Sequence, residues 1–238
     1  MEFFINDVPR VQLFSIEHFF YIGFAVLAVV WYVTHQSTIK QNQASYHRLF
    51  LWITLVTTIV FYTWSLLFTG FGLTNGLPLH ACRISTLVSL YFYFTKDSRV
   101  IPFLFYSGFF ALFAILYPSN VHPLYTHLVG YTSQITHIMI LVNWLYLVVT
   151  LGYRPTIQDM NQTALVFIVM LLLIWPFNYL VGGGEYFYII SDVNRPFLKE
   201  LPDILFLSIM FGLFYVVMMI KTASFDPVLR SRLKMTKQ

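Results

Sequence analysis

Hydrophobic side chains occur in seven long runs along the chain, separated by short polar stretches. The runs lack the apolar–polar alternation of a membrane β-barrel, and each is about as long as a membrane-crossing helix requires, roughly 17 residues or more. The third run is short and begins with a polar cluster, which favours a tilted helix or one sunk among the others. The pattern predicts an all-α, polytopic membrane bundle of seven transmembrane helices. The predicted spans are 14–34, 49–70, 79–95, 100–117, 127–151, 163–181 and 202–221.

The composition is that of a membrane protein and gives no indication of a separate soluble domain. Hydrophobic residues make up 58% of the 238 residues and charged residues only 10%, against about 25% charged in an ordinary soluble domain. We therefore expect one seven-helix membrane domain over 1–238. The net charge of +4 comes from basic residues in loops and tail, which fit anionic lipid headgroups and not nucleic acid. A single cysteine excludes an intramolecular disulfide framework.

The distribution of cationic residues predicts the orientation. The start, MEFFINDVPR, has no basic region or small-residue cleavage site, so the first helix is expected to be retained. With seven crossings, ten cations fall on one side of the bilayer and three on the other. The positive-inside rule makes the first side cytoplasmic, with the N-terminus outside and the C-terminus inside. The first side has Lys40, Arg48, Lys96, Arg99, Arg154, Lys221, Arg230, Arg232, Lys234 and Lys237, and the second has Arg10, Arg195 and Lys199.

Polar residues within the spans lie mainly in the outer halves, while the inner halves are mostly apolar. Polar groups are costly in lipid, so their shared depth predicts an outward-facing polar pocket. Four of them are expected on one broad face of the fifth span. Pro176 is expected to kink the sixth span. The polar residues are His18, His80, Cys82, Arg83, His127, Tyr131, Gln134, His137, Asn178 and Asp203.

Cys82 is the candidate nucleophile of this pocket. Pro78 is expected early in the third helix, which would place Cys82 within a turn of its N-terminus. The helix dipole and Arg83 would then lower the pKa of the thiol. His80, two residues away, would point to the opposite side of a regular helix. His18 or His137, from other helices, is the better candidate base.

Structural interpretations of the same residues remain open. Cys82 can be inert packing, and His80 can cap the third helix. Interfacial positions would equally explain His18 and His127. Arg83 can extend to outer headgroups or hold a lipid phosphate. The alternative for Asn178 is a repair of the backbone near Pro176.

Several short motifs, taken in order along nearly the whole chain, resemble the YwaF-like bacterial integral membrane proteins. That group is related to the transmembrane protein 164 acyltransferases, which act on ether phospholipids with a cysteine as acyl carrier. The resemblance implies a seven-helix fold in the bacterial cytoplasmic membrane and acyl chemistry on lipid, with Cys82 as nucleophile and His137 as base. Arg83 has no clear match in the family pattern. The motifs are 14–18 (FSIEH), 77–82 (LPLHAC), 134–137 (QITH), 152–156 (GYRPT) and 178–182 (NYLVG).

Three functions compete. The first is a Cys-dependent acyltransferase or transacylase acting on a membrane phospholipid or lysophospholipid, with no metal and no cofactor. The second is a zinc-dependent membrane hydrolase with His18, His80, Cys82 and His137 as ligands. The third is a non-enzymatic lipid or small-molecule binder or transporter. In the first, the catalytic residues are Cys82, His137 and His18, and the substrate-binding residues are His80, Arg83, Tyr131, Gln134 and Asn178.

Overall fold

The computed structural model describes residues 10–69, 71–74, 76–118, 127–183, 186–188 and 201–225. The regular elements in this part of the chain are all helical, which confirms the all-α prediction. Six helices are long and apolar enough to cross a membrane. The α-helices are α1 (Ile16–Thr34), α2 (Gln36–Gln41), α3 (Gln43–Trp64), α4 (Ala81–Thr95), α5 (Ile101–Leu116), α6 (Leu128–Leu145), α7 (Ile157–Leu180) and α8 (Asp203–Phe225).

Two helices begin ahead of their hydrophobic runs, α7 through a local capping motif and α3 through contacts with other helices. At the start of α7, Thr156 and Asp159 form a capping box. The Asp159 N–H donates to Thr156 Oγ1 at 3.1 Å, and the Thr156 N–H donates to Asp159 Oδ2 at 3.0 Å. The first turns of α3 contain His47, whose ring bonds other helices. Helix starts therefore follow capping and tertiary contacts as well as hydrophobicity.

The chain forms two compact units. Unit 1 contains α1 to α6 (Met1–Gly72 and Gly76–Leu151), and unit 2 contains α7 and α8 (Leu73–Asn75 and Gly152–Gln238). All candidate site residues from His18 to His137 belong to unit 1. Asn178 and Asp203 belong to unit 2. Some cations behind the predicted orientation lie outside the described residues: Arg195, Lys199, Arg230, Arg232, Lys234 and Lys237.

Unit 1 has two ends, which we name after two buried histidines. At the His18 end, α1 and α6 begin while α3 and α5 finish. The ring of His18 in α1 bonds Ile115 O near the end of α5. At the His47 end, the ring of His47 near the start of α3 bonds Tyr93 O near the end of α4. Helices α4 and α6 therefore run in the same direction, and α3 and α5 run in the opposite one.

Helix α4 is the predicted third span, and its length sets it apart. It has 15 residues, about 22 Å, whereas the hydrocarbon layer is about 30 Å thick. It packs against α3, α5 and α6. Its buried residues are mostly small or hydroxyl-bearing at the start of the helix, including Ser85, Thr86 and Ser89. Helix α4 is too short to be identified as membrane-spanning from its length, whereas the six longer helices are long and apolar enough to cross.

In unit 2, the contacts between α7 and α8 include the following side-chain pairs. The rings of Phe167 and Phe214 meet edge to face with centroids 4.8 Å apart. Tyr215 Oη donates to Asn161 Oδ1 at 3.1 Å. Toward the other end of the pair, Tyr179 Oη donates to a carboxylate oxygen of Asp203 at the start of α8. α7 continues through Pro176 to Leu180 as one helix, and Gly182 and Gly183 form the turn after it with positive φ values.

Candidate functional site

Cys82 lies in the first turn of α4, as predicted, and its side chain is half-buried. Pro78, in contrast, precedes the helix by three residues, so the prediction that it is helical is wrong. The loop before α4 is tight, because the Gly76 N–H donates to Gly72 O at 2.7 Å. A Cβ atom on Gly76 would lie 2.7 Å from that same oxygen. This close approach requires glycine and fixes where the chain enters α4.

The start of α4 is recessed from the His18 end of unit 1. The Arg83 guanidinium lies over the Phe61 ring at 4.6 Å. Helical geometry then continues in α3 and its π-helical extension for eight more residues, to Thr69, or about 12 Å. A comparable length of α6 lies beyond the level of Cys82. The first turn of α4 therefore lies about 12 Å below the ends of its neighbours.

Two features that favour negative charge meet at this recessed start. His80 occupies the N-cap position, but its side chain makes no capping hydrogen bond, so the capping interpretation of His80 is wrong. The first amides of a helix have no acceptor within the helix and favour negative charge. Arg83 adds a positive charge, and its Nη1 donates to Leu77 O at 3.2 Å. The arrangement favours an anion or a developing oxyanion at the start of α4.

His137, in the middle of α6, has the hydrogen bonding expected of a base. Its Nδ1 lies 2.8 Å from Ser133 O. Because a carbonyl can only accept, Nδ1 carries the proton, and Nε2 of the neutral ring keeps its lone pair. Within the described residues, Nε2 bonds no other group. Because the Ser133 carbonyl fixes the tautomer, Nε2 of His137 is able to take up a proton.

The register between α4 and α6 places Cys82 and His137 at the same depth. Asn143 Nδ2 in α6 donates to Ser89 Oγ in α4 at 2.9 Å. Cys82 lies seven residues before Ser89, and Thr136 lies seven residues before Asn143, or about two turns in each helix. Cys82 is therefore level with Thr136 and within about one residue rise of His137.

The two side chains nevertheless do not meet. Helix phase rotates His137 by about 100° from Thr136, away from the face of α6 that meets α4. Within the described residues the Cys82 thiol forms no disulfide and no hydrogen bond. The structure brings the candidate nucleophile and base to one level without forming a Cys–His pair.

Both ring nitrogens of His18 form hydrogen bonds within unit 1. Its exposed fraction is 1%. The Phe14 N–H donates to His18 Nδ1 at 3.0 Å, and Nε2 must donate to Ile115 O at 3.1 Å because that oxygen only accepts. Both ring nitrogens of the neutral side chain are used. The geometry therefore supports a structural role that ties α1 to α5, and it supports His137 over His18 as the base.

The polar residues at the start of α6 do not share a single face. His127 is fully buried, caps α6 by accepting from the Val129 N–H at 3.1 Å and contacts Trp64 edge to face; its interfacial interpretation is wrong. Gln134 is buried against α1, where its Nε2 donates to Tyr21 O at 2.9 Å. Tyr131, by contrast, is 40% exposed. The prediction of one broad polar face on α6 is therefore wrong.

A second buried polar network, at the His47 end, was missed by sequence reasoning. His47 Nε2 donates to Tyr93 O at 2.8 Å, and Tyr146 Oη lies 3.3 Å from His47 Nδ1. Tyr93 Oη in turn donates to Asn143 Oδ1 at 3.3 Å, and Asn143 bonds Ser89. Asn143 lies within a predicted span, so the cost of a polar group in lipid was the available signal. The parts of α3, α4 and α6 toward the His47 end, which were predicted to be inner halves, are thus less apolar than expected.

Asn178, in unit 2, holds the segment that follows α7. Its side chain is fully buried, and Nδ2 donates to Tyr186 O at 2.9 Å. The Tyr186 hydroxyl donates to Leu73 O at 2.8 Å. Asn178 Oδ1 has no partner within the described residues. The side chain therefore bonds the chain beyond the helix and not the backbone near Pro176; its place in the predicted pocket stays a prediction.

Ligands for a metal are not gathered in the described residues. No group of three or more His, Cys, Asp or Glu side chains there lies close enough to hold a metal ion. Nε2 of His18, one of the proposed zinc ligands, instead bonds a backbone carbonyl. The described geometry thus contains no observation that favours the zinc-hydrolase alternative.

Comparison with known proteins gives one match. The model of the TMEM164 family matches residues 13–223. No curated protein and no solved structure matches the chain. The matched range includes every candidate site residue and every described helix except the last two residues of α8.

Proposed function

Because this chain belongs to the TMEM164 family and is a multi-pass membrane protein, we propose that it transfers acyl groups between membrane lipids through Cys82. The observation that carries the proposal is the common depth of Cys82 and His137, set by the Ser89–Asn143 hydrogen bond. His137 supplies an available ring nitrogen, and the start of α4 supplies the N-terminal amides of a helix and the charge of Arg83. The chain thus contains, in one layer of unit 1, the three groups that acyl transfer requires.

The proposed reaction has two balanced steps. First, the Cys82 thiol gives its proton to His137 Nε2, and the thiolate attacks an ester carbonyl carbon of a phospholipid. The ester C–O bond breaks, and the departing lysolipid oxygen takes the proton from His137. Second, the hydroxyl of an acceptor lipid gives its proton to His137 and attacks the thioester. The Cys82 sulfur then leaves and regains the proton.

Catalysis requires Cys82 Sγ and His137 Nε2 to come within hydrogen-bond distance. Catalytic hydrogen bonds are often long or misaligned without substrate and tighten in the complex. The rotation of His137 about its side-chain torsions is opposed by the contacts of Nδ1 with Ser133, to its carbonyl at 2.8 Å and to its hydroxyl at 3.5 Å. A lipid at the recessed start of α4 would favour that approach by excluding water from the site.

The proposal also takes α4 as a seventh crossing, with the His18 end outside and the C-terminus inside, in a bacterial cytoplasmic membrane. Helix α4 runs from its recessed start, where Arg83 contacts Phe61, to the His47 end, where Tyr93 contacts His47. The cations Lys96 and Arg99 follow directly after α4, on the side that the positive-inside rule makes cytoplasmic. Attachment of a membrane-impermeant maleimide to Lys96→Cys in a Cys82→Ala background tests this: labelling of intact cells from outside would reverse the orientation.

Turnover of defined lipids tests the enzymatic proposal. Full-length protein in vesicles with an acyl-labelled phospholipid and an unlabelled lysophospholipid should transfer label. Cys82→Ala should abolish transfer, and His137→Ala should lower it by about 10²–10⁴-fold. His35→Ala, at an exposed histidine after α1, serves as the matched control and should leave it unchanged. Full transfer by Cys82→Ala would overturn the proposal.

Lipid binding without transfer is the second candidate function. It is favoured by one observation: within the described residues the Cys82 thiol has no hydrogen-bond partner. In that case Cys82 is packing, and Arg83 with the start of α4 holds a lipid headgroup. Lipid that stays bound to the wild-type protein and is never turned over would favour this function over the first.

A further inference from the structure

Thr136 lies on the side of α6 that packs against α4, at the depth of Cys82. The hydrogen bond from Asn143 Nδ2 to Ser89 Oγ shows which side of α6 faces α4. Thr136 precedes Asn143 by seven residues, which rotates it by only about 20° from that side. The same interval separates Cys82 from Ser89 in α4. Thr136 and Cys82 therefore project toward each other across the pair of helices.

The hydroxyl of Thr136 differs from the neighbouring hydroxyls of the two helices in its hydrogen bonding. Ser85 and Thr86, in the turn after Cys82, each donate to a carbonyl four residues earlier in α4, at 2.7 and 2.8 Å. In α6, Thr132 donates to a carbonyl three residues earlier at 3.2 Å. The half-buried Thr136 hydroxyl has no hydrogen-bond partner in the described part of the chain.

An unused hydroxyl in this position is informative because a polar group away from water is costly unless it is hydrogen-bonded. The hydroxyls of Ser85, Thr86 and Thr132 meet this requirement within their own helices. The hydrogen of Thr136 stays uncommitted, at the depth of the candidate nucleophile. It can therefore bond an acceptor that a ligand brings to the start of α4.

The Thr136 hydroxyl and the Cys82 thiol do not bond each other, although they project from facing sides of the two helices. An ester carbonyl between them would place its carbon next to Sγ and its oxygen next to the hydroxyl. A donor to a developing oxyanion must lie about 2.7–3.1 Å from that oxygen. Thr136 is thus on the correct side of the reacting carbon for such a donor.

His137, the next residue, has a different role. Consecutive side chains of a helix do not face each other, so Thr136 is not placed to pass the thiol proton to His137. The ring of His137 is held by Ser133 in its own helix, and its Nε2 is the proposed proton acceptor. Two neighbouring residues of α6 thus divide the work, one as base and the other as hydrogen-bond donor.

We infer that Thr136 is a catalytic residue whose hydroxyl donates to the oxyanion that forms when Cys82 attacks a lipid ester. The inference rests on the proposed function and adds a residue to it. As the bond from sulfur to carbon forms, the π electrons of the carbonyl move to its oxygen, which Thr136 bonds without losing its proton. The electrons return when the ester C–O bond breaks, and the departing oxygen takes the proton from His137. The second tetrahedral intermediate, formed from the thioester, uses the same donor.

Kinetics of matched variants test the inference. Thr136→Val replaces the hydroxyl by a methyl group of similar size. In full-length protein it should lower kcat for acyl transfer by about 10²–10³-fold and leave KM unchanged, because the bond forms only in the transition state. Thr136→Ser should keep most of the rate. Thr132→Val, which removes a hydroxyl already bonded within α6, is the control and should transfer at the wild-type rate.

The reactivity of the thiol separates this role from a structural one. Iodoacetamide alkylates Cys82 by displacement of iodide and forms no oxyanion. Thr136→Val should therefore be alkylated at the wild-type rate while it loses transfer. Full transfer by Thr136→Val, or a loss of alkylation in step with transfer, would overturn the inference. A rate in Thr132→Val as low as in Thr136→Val would overturn it as well.

Failure of the inference can be told from failure of the proposed function. Full transfer by Cys82→Ala would remove both, because the oxyanion role depends on attack by that thiol. An inactive Cys82→Ala with a fully active Thr136→Val would keep the proposed function and remove the role of Thr136. If Thr136→Val does not fold, Thr136→Ser and Thr136→Ala decide: the first should be active and the second slow, and equal rates would overturn the inference.

Discussion

Asn143 and Ser89 form a hydrogen bond of 2.9 Å that aligns α6 with α4. Ser89 lies seven residues after Cys82 in α4, yet its contact with Asn143 determines which residues of α6 are level with Cys82. Asn143 also accepts from Tyr93 Oη, so one buried amide joins the side chains of Ser89 and Tyr93. The register of the candidate site is therefore set at the His47 end.

Removal of this amide should destabilise unit 1. Asn143→Ala leaves the Tyr93 and Ser89 hydroxyls without one partner each, and we expect the free energy of unfolding to fall by about 1–3 kcal/mol. Unfolding in mixed detergent measures the change. Asn161→Ala, which removes an exposed acceptor of Tyr215, is the matched control and should cost less. An equal loss in both variants would contradict a special role for Asn143.

His18 and His137 should respond differently to substitution. His18→Ala removes two buried hydrogen bonds, so we expect a loss of about 1–3 kcal/mol in unfolding free energy. His137→Ala removes ring contacts with Ser133, four residues away in the same helix, and should change stability less while lowering acyl transfer. Parallel unfolding and transfer measurements separate the two. The assignment fails if His18→Ala is fully stable and inactive.

The loop before α4 should tolerate no side chain at Gly76. Gly76→Ala places a Cβ 2.7 Å from Gly72 O, so the loop must open and α4 must shift or fray at its start. Maleimide labelling of Cys82 in detergent should then become faster. Gly212→Ala, where the added Cβ meets no atom within 4 Å, should leave the rate unchanged. Equal rates in both variants would contradict a fixed loop.

An ion pair after α4 should make stability depend on pH in acid. The side chain of Arg99, then its backbone N–H, and then Tyr91 bond the Asp97 carboxylate and hold its pKa well below the usual range. A carboxyl group with a lowered pKa stabilises the folded state above its unfolded pKa of about 3.9, and that contribution is lost as the pH falls through the folded pKa.

Arg99→Gln should therefore raise the pKa of Asp97 toward its usual value. Carbon-13 shifts of labelled aspartate carboxyls, followed against pH in vesicles, measure it. Arg154→Gln, at an arginine that lies over Phe225 instead, should leave the Asp97 titration unchanged. A midpoint for Asp97 that does not move in Arg99→Gln would show that the ion pair does not set its pKa.

Hydrophobic runs predicted where every long helix lies, because burial in lipid dominates the choice of segment. They misplaced the start of α7, although the pair Thr156 and Asp159 was readable as a capping box. The position of Cys82 near a helix start was also predictable, since proline and glycine precede it. Side-chain partners were not predictable: an interfacial position was one interpretation of His127, but the residue is buried and caps its own helix.

The partners of the histidine side chains were not predictable because the neighbours of a buried histidine come from other helices. Nothing local to His18 distinguishes a bond to Ile115 O from a bond to a thiol. Depth is set by register, which depends on a contact between Ser89 and Asn143 that no single segment contains. The sequence thus indicated which residues could take part in catalysis. The packing of the helices determines which of their side chains are already used in structural hydrogen bonds.

The central claim is that Cys82 carries an acyl group during turnover. Full-length protein in vesicles, mixed briefly with a phospholipid of one defined acyl chain and quenched in acid, can be weighed intact by mass spectrometry. We predict a mass increase of one acyl group, located on Cys82 by peptide mapping, reversed by hydroxylamine and absent from Cys82→Ala. Acyl transfer at full rate by protein that never shows this adduct would contradict the account.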